Sequence, residues 1–197
     1  VHKSRVEAFS DAVIAIIMTI MVLELRPPHS AELSALGAKW PTFLSYILSF
    51  VFTGIYWNNH HHLFQAVHHV NGRVLWANLH LLFWLSIFPF VTAWLGDSHF
   101  APVPVAAYGI VMLMAGVSYF VLSRVLVHHH GRDSVLARAV GRDGKGIVSL
   151  LAYAAAVGLA FVDPRISCAL YVAVAILWLV PDKRIERTLA SADPAAG

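Results

Sequence analysis

The chain has 197 residues, 58% of them apolar and 13% charged, with a net charge of +3 and a mean hydropathy of +0.68. Soluble domains average about 45–50% apolar and about 25% charged residues. So little charge cannot coat a soluble core, which excludes disorder, a nucleic-acid-binding tail and most soluble enzymes. The chain reads as an integral membrane protein. Its single cysteine, Cys168, excludes a disulfide framework and any multi-cysteine metal site. No signal peptide is expected, because the first apolar run lacks a small-residue cleavage site and is too long for an h-region.

A helix that crosses a bilayer needs about 20 mostly apolar residues. Six segments qualify, at 8–25, 42–57, 74–95, 103–127, 147–162 and 166–180, and the second can run on through 58–64 into the interface. Turn chemistry separates them: Arg26-Pro27-Pro28, Gly96-Asp97, the prolines 102 and 104, the glycines of 141–146, and Asp163-Pro164. Residues 1–190 are expected to form one six-helix unit, with 191–197 a small, polar, flexible tail. No internal repeat relates 1–95 to 96–197. The first half carries nearly all the unusual polar residues, and the second reads as an apolar scaffold.

Cation bias sets the orientation. With a cytoplasmic N-terminus, eleven cations fall inside: Lys3, Arg5, Arg73, Arg124, Arg132, Arg138, Arg142, Lys145, Lys183, Arg184 and Arg187. Only three, Arg26, Lys39 and Arg165, fall outside. Both termini are predicted to be cytoplasmic. Trp40, Trp76, Trp94 and Trp178 sit near span ends, as interfacial anchors do.

An ionisable group inside a span is a functional candidate by default. Asp11 lies three residues into the first span, and span counting brings His60, His61, Asn78 and His80 to a similar depth at the cytoplasmic face. Three readings compete for this cluster. One is a structural knot in which Asp11 accepts from an imidazole and an amide, so that no buried acceptor is unpaired. Another is a proton relay or pH sensor. The third, a metal site, is disfavoured because His60-His61-His62 fan out in steps of about 100° around a helix. His68-His69 and His128-His129-His130 fall at the cytoplasmic ends, where solvent or headgroup contact is expected. Glu24 ends the first span beside Arg26 and Pro27, where it marks the outer interface or concentrates cations at a pore mouth.

Familiar signatures are missing. The chain has no Gly-x-Ser-x-Gly, His-Glu-x-x-His or phosphate-cradling loop, no Thr-Val-Gly-Tyr-Gly filter and no ladder of arginines for voltage sensing. Ala107-Tyr108-Gly109 falls inside a long apolar span and is no pore loop. No enzyme site can be assembled. The first span shows a stripe of Ala12, Ile16, Thr19, Ile20 and Leu23, recurring at three- and four-residue steps. Core packing and a pore lining explain such a stripe equally well.

Arg5, Phe9, Ser10 and Asp11 fit Arg-x-x-x-Phe-Ser-Asp at the start of a first membrane helix. Trp57-Asn58-Asn59-His60 with Leu63-Phe64 fits a second-helix Trp-x-x-His motif, and Asn78-Leu79 with Pro89 a third-helix pattern. In these motifs the chain resembles the transmembrane protein 175 family of potassium channels. The resemblance covers residues 5–95 by motif and 96–197 by hydropathy and span count alone. It implies an all-α potassium-selective channel whose first helix lines a central pore. A chain with one six-helix unit, as here, implies a homotetramer in the cell membrane, with no cofactor beyond the permeant potassium and no nucleic acid. The family's constrictions fall on Ile16, Ile20 and Leu23, with Thr19 between them; its motif residues fall on Arg5, Phe9, Ser10, Asp11, Trp57, His60 and Asn78. Some members also conduct protons. The rival readings are a proton-permeable channel or proton-coupled transporter using Asp11 and the histidines, and a plain structural subunit. Inverted repeats and broken helices, common in transporters, are not evident in the sequence.

Overall fold

Every described element is a helix. The computed structural model describes residues 2–67, 69–131, 134, 136–137, 141 and 143–179. His68, Arg132, Arg138, Arg142, Lys183, Arg184, Arg187 and the expected tail at 191–197 lie outside the described residues. In chain order the helices are α1 (Lys3–Leu23), α2 (Leu33–Gly37), α3 (Trp40–Gln65), α4 (Gly72–Ser86), α5 (Phe88–Asp97), α6 (Pro102–His130), α7 (Gly144–Leu159) and α8 (Pro164–Leu179). The predicted spans fall on α1, α3, the α4–α5 pair, α6, α7 and α8.

Among the described residues, three stretches are long and apolar enough to cross a membrane: Lys3–Leu23, Gly72–Asp97 and Pro102–His130. Helix α3 has 26 residues, but its last turns carry Asn58, Asn59 and three histidines. Helices α7 and α8 have 16 residues each, a length of about 24 Å. Pro41 and Pro102 stand in the first turns of α3 and α6, where a missing N–H leaves nothing unpaired. Asn71 caps α4 by accepting from Val74 N at 3.0 Å, and Asp143 caps α7 by accepting from Gly146 N at 2.9 Å.

The third predicted span is not one helix, which corrects the expectation of unbroken helices. It is interrupted at Ile87, the residue shared by the ends of α4 and α5. Pro89 is the cause: it has no N–H to donate to Leu85 O, and its ring crowds that carbonyl. Ser86 covers part of the exposed backbone by donating to Phe83 O at 2.7 Å.

Helix α6 runs through the centre of the bundle against α4, α5, α7 and α8, while α1 packs at one side against α3, α4 and α5. Aromatic rings fill the middle. Phe88 meets Tyr56 and Tyr108 edge-on at 6.4 and 6.3 Å, and Tyr108 meets Tyr171 at 5.4 Å; such pairs add about 0.5–1.5 kcal/mol each beyond burial. The Tyr171 hydroxyl donates to Val105 O at 2.9 Å across the groove beside Gly109. A Cβ at Gly109 would overlap that hydroxyl, so glycine lets α6 and α8 touch. Ala107-Tyr108-Gly109 is continuous helix, as expected, with Tyr108 fully buried.

The α5–α6 turn carries strain. His99 and Phe100 have φ of 53° and 59°, a region that costs a non-glycine residue about 1–2 kcal/mol. Two bonds hold it: His99 N donates to Gly96 O and Phe100 N to Leu95 O, both at 3.1 Å, the reverse-turn pairing that often closes a helix. The Phe100 ring then rests on Trp40, 5.8 Å away.

Ser98 in this turn and Ser134 beyond α6 test the orientation. In a Cys168→Ser background, a cysteine at Ser98 is expected to react with a membrane-impermeant maleimide only from outside, and one at Ser134 only from inside. Labelling of both from one side would refute the predicted topology.

Candidate ion pathway and its polar support

Helix α1 presents two faces. Val6, Ser10, Ile14, Ile17 and Met21 are buried, at steps of four, four, three and four residues, the spacing of a single helical stripe. The other face carries Ile16, Ile20 and Leu23, which are 56%, 41% and 76% exposed, together with exposed Ala12 and Thr19. The subunit's own core therefore does not account for that stripe. Thr19 Oγ1 donates to Ile16 O at 2.8 Å, so its proton is held within the helix and oxygen lone pairs stay on the open face. Phe9, 52% exposed, and Arg5, also exposed, stand nearer the N-terminus, outside the core.

The buried face of α1 ends in a polar chain. His60 Nε2 lies 2.8 Å from Asn78 Oδ1, Asn78 Nδ2 donates to Ser10 Oγ at 2.9 Å, and Ser10 Oγ donates to Val6 O at 2.8 Å. All three side chains are at most 2% exposed. The directions follow from donor supply: the amide NH2 faces Ser10, so its oxygen must accept, and His60 Nε2 must carry a hydrogen. The His60 ring stacks on Phe64 with centroids 4.4 Å apart. The chain terminates on a backbone carbonyl and passes through an amide, which supports a structural clamp across α1, α3 and α4 over a proton wire.

Asp11 is not part of this chain, which corrects the expected knot. Its carboxylate accepts from Trp57 Nε1 at 3.0 Å on an exposed face, and neither His60 nor His61 is its hydrogen-bond partner. One residue separates Ser10 from Asp11, hence about 100° of rotation. The apolar stripe takes Ser10 inward and turns Asp11 outward. His60 turns inward to Asn78, whereas His61 and His62 both reach the Gln65 side chain, at 2.9 and 3.4 Å, so only His60 parts from its neighbours and the expected three-way fan does not hold. His80 accepts from Trp84 Nε1 at 3.1 Å within α4 and also stands outside the cluster. Of the five residues expected together, only His60 and Asn78 are joined.

Two polar features escape the sequence reading. Thr92 Oγ1 lies 2.7 Å from Ser49 Oγ and 2.6 Å from Phe88 O, and Ser49 Oγ lies 3.0 Å from Tyr108 Oη. This buried cluster joins α3, α5 and α6. At the opposite end, His129 Nδ1 pairs with Asn71 Nδ2 at 3.0 Å and His130 Nδ1 with Leu126 O at 2.9 Å. With His69 N donating to His130 Nε2 at 3.4 Å, these contacts tie the end of α6 to the α3–α4 connection, while His128 and His129 themselves remain exposed. Among the described residues no fully buried side-chain nitrogen or oxygen lacks a partner, a condition that a membrane interior enforces.

The motif residues thus fall on α1, α3 and α4, within a stretch that matches a known family. The family model described as endosomal/lysosomal potassium channel TMEM175 matches residues 5–89. A potassium channel of Chryseobacterium sp. (strain P1-3) is 51% identical over 187 residues, covering 95% of this chain and 97% of the relative. This chain belongs to the TMEM175 channel family. A second relative, a potassium channel of Streptomyces collinus, is 32% identical over 90% of this chain and 91% of its own length. The crystal structure of a lysosomal potassium-selective channel TMEM175 homolog from Chamaesiphon minutus superposes with a TM-score of 0.79. That match has 28% identity over 90% of this chain and 96% of the other.

Proposed function

We propose that this chain assembles as a homotetramer of six-span subunits in the cell membrane, both termini cytoplasmic, and conducts potassium selectively along an axis lined by α1. The carrying observation is the open stripe on α1, whose residues have no place in the subunit core. Four copies around an axis form rings of Ile16, Ile20 and Leu23, narrow and apolar enough to gate by dewetting. Thr19 supplies a ring of oxygens at the level where an ion has shed part of its water. Selectivity then arises from pore radius and the cost of dehydration, without a carbonyl cage. The permeant potassium is the only ligand required, and no bond-making chemistry is involved. The Chryseobacterium and Streptomyces relatives, both potassium channels, and the potassium-selective Chamaesiphon homolog support this activity.

Purified protein in liposomes under a potassium gradient is expected to pass current that reverses near the potassium equilibrium potential. Saturable counterflow without current would replace the channel by a transporter. A proton gradient imposed in the same vesicles separates the proton-permeable alternative, in which the reversal potential would follow pH.

A further inference from the structure

Helices α3, α6, α7 and α8 partly enclose a cavity to which α1 contributes no lining residue. Its apolar walls are Phe52, Ile55, Phe120, Leu150 and Tyr153, and the open space within is about 40 Å³, room for about three waters. Tyr56 also lines it, and the fold leaves this hydroxyl without work. The residue is 9% exposed, and among the described residues its Oη takes no hydrogen bond. Every fully buried side-chain oxygen among them has a partner, so Tyr56 Oη must border open space, and the cavity supplies it. Gly116 keeps that space clear: a Cβ there would lie 3.6 Å from Tyr56 Oη. The ring itself is fixed edge-on between Phe88 and Tyr119, at 6.4 and 6.3 Å, so the hydroxyl cannot swing to a partner elsewhere.

Other polar groups of the lining are engaged. Trp178 Nε1 donates to Ser149 Oγ and Ser149 Oγ to Lys145 O, both at 2.8 Å. Tyr119 Oη donates to Asn59 O at 3.2 Å, and Asn59 Nδ2 to Ile55 O at 2.9 Å. Asp143 accepts from Gly146 N at 2.9 Å, and the positive end of α7 offsets its charge, so the carboxylate does not call for a cation. Water would be poorly held here, since a buried water needs about two to four polar partners. A neutral molecule with one hydroxyl and a short hydrocarbon body matches the lining better.

We propose that this cavity binds a short-chain alcohol of about two to four carbons. Its hydroxyl pairs with Tyr56 Oη, and its chain lies against the apolar walls. Binding is favourable because an apolar chain displaces loosely held water while the alcohol hydroxyl keeps the one hydrogen bond that water could make to Tyr56. The site stands apart from the α1 stripe and does not depend on the route that ions take.

Crystals of the Cys168→Ser protein soaked in 2-bromoethanol test this, with the bromine located by anomalous scattering. A peak in the cavity is expected at millimolar concentration, with the alcohol oxygen in hydrogen-bond reach of Tyr56 Oη, and 1-propanol should compete it away. Tyr56→Phe keeps the ring and removes the hydroxyl, and should weaken occupancy about three- to tenfold. Gly116→Ala should abolish the peak by placing a methyl group beside Oη; that methyl would stand 2.8 Å from Leu150 Cδ2, the mobile end of a side chain that can turn aside. Size exclusion checks that both variants assemble. A cavity that holds only ordered water, a peak only at molar concentration, or occupancy unchanged in either variant overturns the site. Propylammonium displacing the bromine more strongly than 1-propanol does would overturn the choice of a neutral ligand.

Discussion

Ile16→Asn is expected to raise single-channel conductance about tenfold and to weaken the preference for potassium over sodium. Ile16 is 56% exposed on the free face of α1, so the substitution leaves the subunit core intact. In the proposed tetramer four amides would replace four sec-butyl groups at one narrow ring, giving water partners where it had none. A drop of only about 1.4 kcal/mol in the barrier to wetting gives the tenfold rise. Selectivity falls for the same reason, since an ion that keeps its water is no longer discriminated by the cost of losing it. The readout is unitary conductance and reversal potential under mixed potassium and sodium, in protein shown to be tetrameric. Recordings identical to wild type would remove α1 from the pore.

The second large effect concerns folding. Asn78→Leu should leave His60 Nε2–H without an acceptor and unfasten Ser10 from α4, although Ser10 Oγ keeps its bond to Val6 O. An unsatisfied buried group costs about 1–3 kcal/mol, and that loss together with the broken link between α1 and α4 is a sizeable share of a net stability of about 5–15 kcal/mol. A markedly lower melting temperature in detergent and a loss of assembled protein are expected. His60→Ala should do less, opening one end of the chain. Asp11→Asn serves as the contrast. Its amide oxygen can still accept from Trp57, and the site is exposed, so the change should stay within about 0.5 kcal/mol. An Asp11 variant as damaged as the Asn78 variant would mean that Asp11 has a partner outside its own subunit.

These expectations show where sequence reasoning reaches and where it stops. Relative position along the helices is legible, because hydropathy and turn residues mark out the helices in order. His60 and Asn78 are accordingly placed at one level, and they meet at 2.8 Å. Rotation about a helix axis is a finer quantity. Asp11 stands out as a charge, yet Ser10 occupies the inward position, four residues from both Val6 and Ile14 in the buried stripe. The phase of that stripe is the signal that identifies Ser10. The Ser49–Thr92–Tyr108 cluster is out of reach for another reason: hydroxyl residues in apolar spans usually bond their own helix, as Thr53 does to Ser49 O at 2.8 Å. Only packing shows which of them cross to a neighbour. The break at Ile87 is foreshadowed by Pro89, whose place in a motif draws the eye away from its missing donor.

Thr19 has a consequence for the sign of the permeating charge. Its single hydroxyl proton is committed to Ile16 O, so in the proposed assembly four threonines would present acceptors to the axis and no donors. Chloride needs donors. To be solvated at that level it would have to draw four protons away from helix carbonyls, each held by about 0.5–1.5 kcal/mol. A dehydrated cation asks for nothing but lone pairs that already point inward. One intrahelical hydrogen bond per subunit would thus let a neutral ring turn anions away.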